Sequence, residues 1–279
     1  MRIAAVIQAR AASRRLPGKV LKELPYGSGI TVLEQVIRRL KRCKKLNGVI
    51  VATTTEREDD ELVSIAQRGG AKHFRGSKED VLSRYYSTSK ENGLEVLVRI
   101  TGDCPCIDPE VVDLVIEKHL AAQADFTSNI LNRTFPHGLD TEVLNFDTLE
   151  KAHLQAKQPF EREHVCPYIF KSNPQLFKIS SVEAPERLHE PDIRVTLDTE
   201  EDYALLCAVF DYLYQENEFF GTEDIIKLFR HKPWLKTINK NVAHKQIFDS
   251  LQPELKEAIR ILDLQELNRA KELLMNHLK

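Results

Sequence analysis

The run Ile3-Ala4-Ala5-Val6-Ile7-Gln8-Ala9 passes without a break into Arg10-Ala11-Ala12-Ser13-Arg14-Arg15-Leu16-Pro17-Gly18-Lys19. The first part has the length and apolar content of a buried strand, and the second is a polar loop holding Arg10, Arg14, Arg15 and Lys19 without one carboxylate. In an open α/β sheet, a loop that leaves the C-terminal end of a strand lines the ligand crevice. Arginines, a lysine and a glycine at that place suit a polyphosphate, because the cations can reach it and the backbone can approach closely. The loop is not a Walker A sequence, since Val20 follows Gly18-Lys19 and no glycine precedes them at the required spacing. Gly27-Ser28-Gly29 is not a dinucleotide fingerprint either, because Val32 stands where the third glycine belongs; the spacing predicts a turn.

Outward from this stretch, apolar runs alternate with helix-like periodicity, the pattern of βαβ units and a parallel sheet. Strands are predicted at 3–9, 48–53, 71–75 and 95–100, with helices at 32–40, 59–68, 79–91 and 109–122, the last capped by Asp108 with Pro109 at its first position. The expected fold is α/β, doubly wound, with a mostly parallel sheet. After Ala124 the rhythm changes: short strands are expected at 141–145 and 177–182 around helices at 147–157 and 160–171. The residues 124–190 are therefore expected to form an inserted lobe of a domain spanning 1–233. The βα rhythm returns at 192–197 with a helix from Glu200, and a further amphipathic stretch ends near Pro233. A helical extension, 234–279, is expected to break at Pro253, its Ile247, Leu251, Leu255, Ile259, Leu262 and Leu267 forming a stripe that packs on the domain or on a second copy.

The chain has 279 residues with a formal net charge of −2. That length can bury a substantial core, and the near balance of charge argues against a duplex nucleic-acid partner. The balance hides an asymmetry. Residues 1–45 carry twelve basic residues against Glu23 and Glu34, a surplus of +10 that leaves −12 for the remainder. Part of it, Arg38 to Lys45, is expected to be a solvated helix end, where cations favour the dipole; the part in the Arg10–Lys19 loop reads as an anion site. The opening segment has too short an apolar run for a signal peptide or a membrane span, so a cytoplasmic location is expected. Five scattered cysteines form no disulfide framework, and Cys104 and Cys106 have no second ligand pair at zinc spacing.

The stretch Ile7-Gln8-Ala9-Arg10, Ser13 and Arg15-Leu16-Pro17-Gly18-Lys19 resembles the nucleotide-binding loop of the CMP-sugar cytidylyltransferases, the CMP-Kdo and acylneuraminate type, and within them the branch of spore-coat polysaccharide biosynthesis proteins. The resemblance continues in Gly76-Ser77-Lys78-Glu79-Asp80-Val81-Leu82-Ser83-Arg84-Tyr85-Tyr86, Thr101-Gly102-Asp103-Cys104-Pro105, Gly138-Leu139-Asp140-Thr141-Glu142, Arg162-Glu163-His164-Val165 and Val195-Thr196-Leu197-Asp198-Thr199-Glu200-Glu201-Asp202, so it covers about residues 3–230. It implies a nucleotide-diphospho-sugar transferase-like fold and a homodimer. It also implies a reaction in which a sugar hydroxyl attacks the α-phosphorus of CTP and pyrophosphate leaves.

The same resemblance puts Mg²⁺ on Asp103 and Asp198, both at strand ends facing the loop, which meets the usual need of one or two carboxylates. Capping is the other reading of the Asp198 region, since Thr199 and Asp202 have capping spacing. Arg10, Arg15 and Lys19 would hold the triphosphate, with Ala9 and Ser13 in the same loop. Thr53, Gly76, Ser77 and Asp80 are candidates for base and ribose recognition. For an acidic sugar acceptor the candidates are His137, Asp140, Glu142, Arg162 and His164, with Asp140 or His164 as a base. Two other functions fit an alternating sheet: a metal-dependent glycosyltransferase, which usually carries a D-x-D motif that this chain lacks, and a non-catalytic nucleotide-binding protein.

Overall fold

The computed structural model describes residues 1–13, 15–242 and 251–277, so Arg14, Ile247 and Leu278 lie outside the described residues. The chain divides into two units, Met1–Val242 and Ala243–Lys279.

In the first unit, β1 (Ile3–Gln8), α1 (Val32–Leu40), β2 (Gly48–Thr54), α2 (Asp60–Arg68), β3 (Lys72–Gly76), α3 (Val81–Glu91), β4 (Val96–Thr101) and α4 (Pro109–Ala122) follow the expected alternation within one or two residues. Next come β5 (Phe126–Ser128), β6 (Glu142–Asn145), α5 (Phe146–Gln155), α6 (Pro159–His164), β7 (Ile179–Ser181), α7 (Glu200–Leu213), α8 (Thr222–His231) and α9 (Leu235–Ile238). One seven-stranded sheet runs β3-β2-β1-β4-β6-β5-β7, with β1 to β4 mutually parallel and β6 antiparallel to both neighbours. Segment 124–190 thus supplies three strands to the same sheet.

The period-two alternation of β1 explains the two cores. Ala5 and Ile7 point to one side, with Val98, Ile100 and Val51, under Leu33, Ile37, Ile65, Val112 and Leu206 of α1, α2, α4 and α7. Ala4 and Val6 point to the other, with Ile50 and Leu97, under Leu82, Tyr85 and Leu149 of α3 and α5. Each fully buried Ile or Leu contributes roughly 1.5–3 kcal/mol relative to an exposed one.

Four expectations change. Residues 192–197 form no strand but a single bridge, His137 with Arg194, because their backbone is spoken for by loops: Val195 N–H donates to His137 O at 2.7 Å and Leu197 N–H to Asp103 O at 2.8 Å. The helix expected over 160–171 stops at Val165, which takes φ 73°, and a separate turn, Tyr168–Ser172, follows Pro167. Pro167 disfavours helical backbone just before it, and its missing N–H ends the ladder. Arg39 is not on a solvated face. It is fully buried, stacked 4.3 Å over Phe220 with Nη1 donating to Phe220 O at 2.8 Å, so the ring quadrupole and a carbonyl replace water. In the second unit, Pro253 lies within α10 (Leu251–Leu264), and the turn before α11 (Asn268–His277) comes instead at Glu266, with φ 55°. Leu255, Ile259 and Leu262 of α10 are half-buried, while Leu251 at its start and Leu267, between α10 and α11, remain exposed.

Candidate functional site

The loop after β1 is built by local chemistry. Ala9 N–H still pairs with Ala52 O of β2, and Gly18 N–H closes the loop onto Ala11 O at 3.0 Å. Gly18 takes φ 67°, a left-handed conformation that glycine adopts without a Cβ penalty, and it turns the chain into the short helical turn Lys19–Leu21. Buried Leu16 anchors the loop, so Arg15 and Lys19 project from a fixed base.

Asp59 ties the loop to β2. Its carboxylate accepts from Ala11 N–H at 2.7 Å, Thr53 Oγ1 at 2.9 Å, and Thr54 N–H and Oγ1 at 3.1 and 2.5 Å. Burial pushes this carboxyl up, but the donated hydrogen bonds outweigh it and hold it below its usual value. Thr53 is fully buried with its hydroxyl spent on Asp59, so it does not face the crevice; its place is beneath the loop.

Gly102 brings the second element in. A Cβ there would lie 2.9 Å from Ala9 Cβ and 3.1 Å from Gln8 O, so only glycine lets β4 end this close to β1. Asp103 follows, and its carbonyl is held by Leu197 N–H. One backbone bond thereby fixes the spacing between the segments that carry Asp103 and Asp198.

The three parts meet on one ammonium group. Lys19 Nζ lies 2.5 Å from Asp103 Oδ2 and 2.9 Å from Asp198 Oδ1. Arg15 Nη2 is 2.8 Å from the same Asp198 oxygen, and Arg194 Nη2 takes Asp198 Oδ2 at 2.8 Å. Lys19, Asp103 and Asp198 are 13%, 21% and 17% exposed, so a ligand can reach them while water screens them poorly. Burial raises the Asp198 carboxyl, but Lys19, then Arg15 and Arg194, overcome it and hold the group well below the usual carboxylate range. Burial lowers Lys19, and the two aspartates more than offset it.

The helix-capping reading of this region is also realised, on other atoms. Thr199 and Asp202 form the capping box of α7, leaving the Asp198 side chain to the crevice. Beneath it, buried Asp202 accepts from Arg194 Nε and Nη2, both at 2.9 Å, and orients that guanidinium.

Arg10 is exposed; burial lowers the Arg84 guanidinium, and the charge of Arg10 adds to that lowering. Arg84 Nη1 donates to Ser77 O at 2.7 Å and leaves Nε and Nη2 without a partner. Ser77 Oγ accepts from Asp80 N–H, and Asp80 caps α3 through Ser83 N–H at 2.9 Å. The other oxygen of Asp80 receives Arg162 Nε and Nη2 at 2.9 and 2.6 Å.

The acceptor candidates therefore do not share one set of partners. Arg162 belongs with Asp80. Glu142 pairs with Arg99 and is 4% exposed, so it presents no free carboxylate. His164 closes α6 beside Val165, whose φ is positive. His137 and Asp140 do stand together near the aspartates: His137 Nδ1 is 3.0 Å from Arg194 Nη1, and Asp140 receives Arg133 bidentately at 2.8 and 3.0 Å. Gly138 presses this turn onto the peptide between Val195 and Thr196, where a Cβ would sit 2.7 Å from the Val195 carbonyl. Burial raises the Asp140 carboxyl and Arg133 more than reverses that, so Asp140 is a weak base that fixes Arg133. Arg133, Arg194 and Asp59 carry no sequence signal of their own; each acquires its role from a contact across the fold.

Among the described residues, no three His, Cys, Asp or Glu side chains gather around one point. The donor set is instead two carboxylate oxygens converging on a single cation. That fits Mg²⁺, which fills its remaining positions with water and phosphate oxygens.

The depressed carboxyls make stability acid-sensitive. A folded-state value below the unfolded value of about 4 contributes stability that is present above about pH 4 and lost as pH falls through the folded value. The thermal midpoint should be flat down to about pH 5 and fall below about pH 4, with a shallower acid limb in Asp198→Asn. Superimposable acid limbs would remove Asp198 from this account.

A family model described as cytidylyltransferase matches residues 4–263. An uncharacterized protein of Methanocaldococcus jannaschii is 41% identical over 245 residues, 88% of this chain and 97% of that protein. The spore coat polysaccharide biosynthesis protein SpsF of Bacillus subtilis is 36% identical over 231 residues, 81% of this chain and 93% of SpsF. The solved structure of a cytidylyltransferase from Leptospira borgpetersenii superposes with a TM-score of 0.78 at 34% identity, covering 89% of this chain and 99% of that one.

Proposed function

The chain belongs to the cytidylyltransferase family, and from that premise we propose that it transfers CMP from CTP to a hydroxyl of an acidic sugar of the ulosonic or nonulosonic type, releasing pyrophosphate, for a surface polysaccharide or glycoconjugate. The observation that carries the proposal is the convergence of Arg15 and Lys19 with Asp103 and Asp198 at the C-terminal edge of the parallel strands. Cations for a triphosphate and carboxylates for its metal stand within one hydrogen bond of each other, where an open sheet binds ligands.

In this reading Arg10, Arg15 and Lys19 hold the triphosphate and balance the charge that grows on the leaving pyrophosphate. Ala9 and Ser13 border it, and Gly76, Ser77 and Asp80 receive the base and ribose. Asp103 and Asp198 hold Mg²⁺, which when bound supplies charge neutralisation and orientation at the phosphates. The acceptor oxygen forms a bond to the α-phosphorus, the bond to the bridging oxygen breaks, and the acceptor proton passes to solvent. In the same reading the acceptor approaches past His137 and Asp140, the two acceptor candidates that stand together near the aspartates. A homodimer in the cytoplasm is part of the same proposal; no helix among the described residues is long and apolar enough to cross a membrane.

Incubation with CTP, Mg²⁺ and a panel of acidic sugars should release pyrophosphate with at least one acceptor. Absence of release with every acceptor, together with no thermal shift on adding CTP and Mg²⁺, would refute the proposal.

A further inference from the structure

Resting on that reading, we infer that Lys19 is the resting occupant of the cation position between Asp103 and Asp198, so that free divalent metal is kept out until a triphosphate draws Lys19 away. Nζ is within 2.9 Å of one oxygen from each aspartate, the place where a single ion bridging the two carboxylates would sit. Three cations, Lys19, Arg15 and Arg194, face three carboxylates, Asp103, Asp198 and Asp202. The cluster is therefore electrically balanced, and a divalent ion entering it would meet an ammonium in its own position.

The three cations differ in freedom. Arg194 is 6% exposed and clamped by Asp202 through two nitrogens, so it stays. Arg15 is 40% exposed, and Lys19 is a flexible four-carbon stem just after left-handed Gly18. A triphosphate competes for Lys19 and Arg15 alone. Their withdrawal frees Asp103 Oδ2 and Asp198 Oδ1, while Asp198 Oδ2 remains with Arg194. Metal and nucleotide therefore enter as one ligand, and by linkage each strengthens the other by the same factor. The site admits metal only where it has phosphates to act on.

The test uses manganese and the full chain without nucleotide, following loss of the free-ion EPR signal. Lys19→Met should bind Mn²⁺ at least tenfold more tightly than wild type, and adding Asp103→Asn to that variant should abolish the gain. Equal Mn²⁺ affinity in wild type and Lys19→Met overturns the inference. Because this arm contains no nucleotide, it is independent of the pyrophosphate assay that decides the function. Should Lys19→Met not fold, water-proton relaxation of the wild-type chain decides instead. Enhancement is expected with Mn²⁺ and CTP together and not with Mn²⁺ alone, whereas equal enhancement in both overturns the inference.

Discussion

Asp103→Asn is expected to lower kcat/KM for CTP-dependent pyrophosphate release by about a thousandfold or more, on the order of 4 kcal/mol of transition-state stabilisation. The substitution keeps size and an acceptor for Lys19 Nζ but removes the charge. Little in the fold depends on that charge. The Asp103 carbonyl keeps Leu197 N–H, and Gly102 still sets the approach of β4 to β1. The thermal midpoint should consequently move by only a few degrees. Lys19→Ala should cost a similar factor, and the double variant far less than the product of the two, because both act on one cluster. A loss of only a few-fold for Asp103→Asn, in protein that unfolds like wild type, would place the metal elsewhere.

What the sequence disclosed about this site depended on how far apart the interacting residues lie. The loop, the two aspartates and the β1–β4 alternation are local patterns, read from spacing and from which residues follow an apolar run. The contacts that orient them are not local. Arg194 has no motif of its own that points to the crevice; it matters because α7 places Asp202 four residues after Asp198 and both carboxylates turn to one guanidinium. Asp59 looks like an acidic residue opening a helix, and only the return of the first loop onto β2 gives it Ala11 as a donor. Arg39 sits in a run of cations whose solvated reading is the ordinary one, yet Phe220, far along the chain, turns that position inward. Arg162 follows the same rule. Its partner Asp80 lies across the fold, so the grouping of Arg162 with His137 by chain order did not survive the topology. The strand expected at 192–197 failed for a related reason: apolar alternation marks extended backbone, but the partners of that backbone are the loops bearing His137 and Asp103.

Asp202→Ala is expected to destabilise the first unit by about 3–5 kcal/mol, because it breaks a buried ion pair and leaves the other member uncompensated. Its carboxylate accepts Arg194 Nε and Nη2, Asp198 N–H at 3.0 Å, Thr199 N–H at 3.3 Å and Asn239 Nδ2 at 2.9 Å, and it is 0% exposed. Alanine removes all five acceptances and half of the α7 capping box. For a domain of this size the loss corresponds to a fall in thermal midpoint of roughly 10 °C. The variant also separates support from chemistry. Arg194, released by Asp202, can still reach Asp198, so at a temperature where the variant is folded its remaining activity should exceed that of Asp103→Asn by at least about tenfold. Differential scanning calorimetry and the pyrophosphate assay on the same preparations measure both quantities. A midpoint within a few degrees of wild type would mean that Arg194 is oriented without Asp202, and the fixed guanidinium that holds Asp198 Oδ2 would need another anchor.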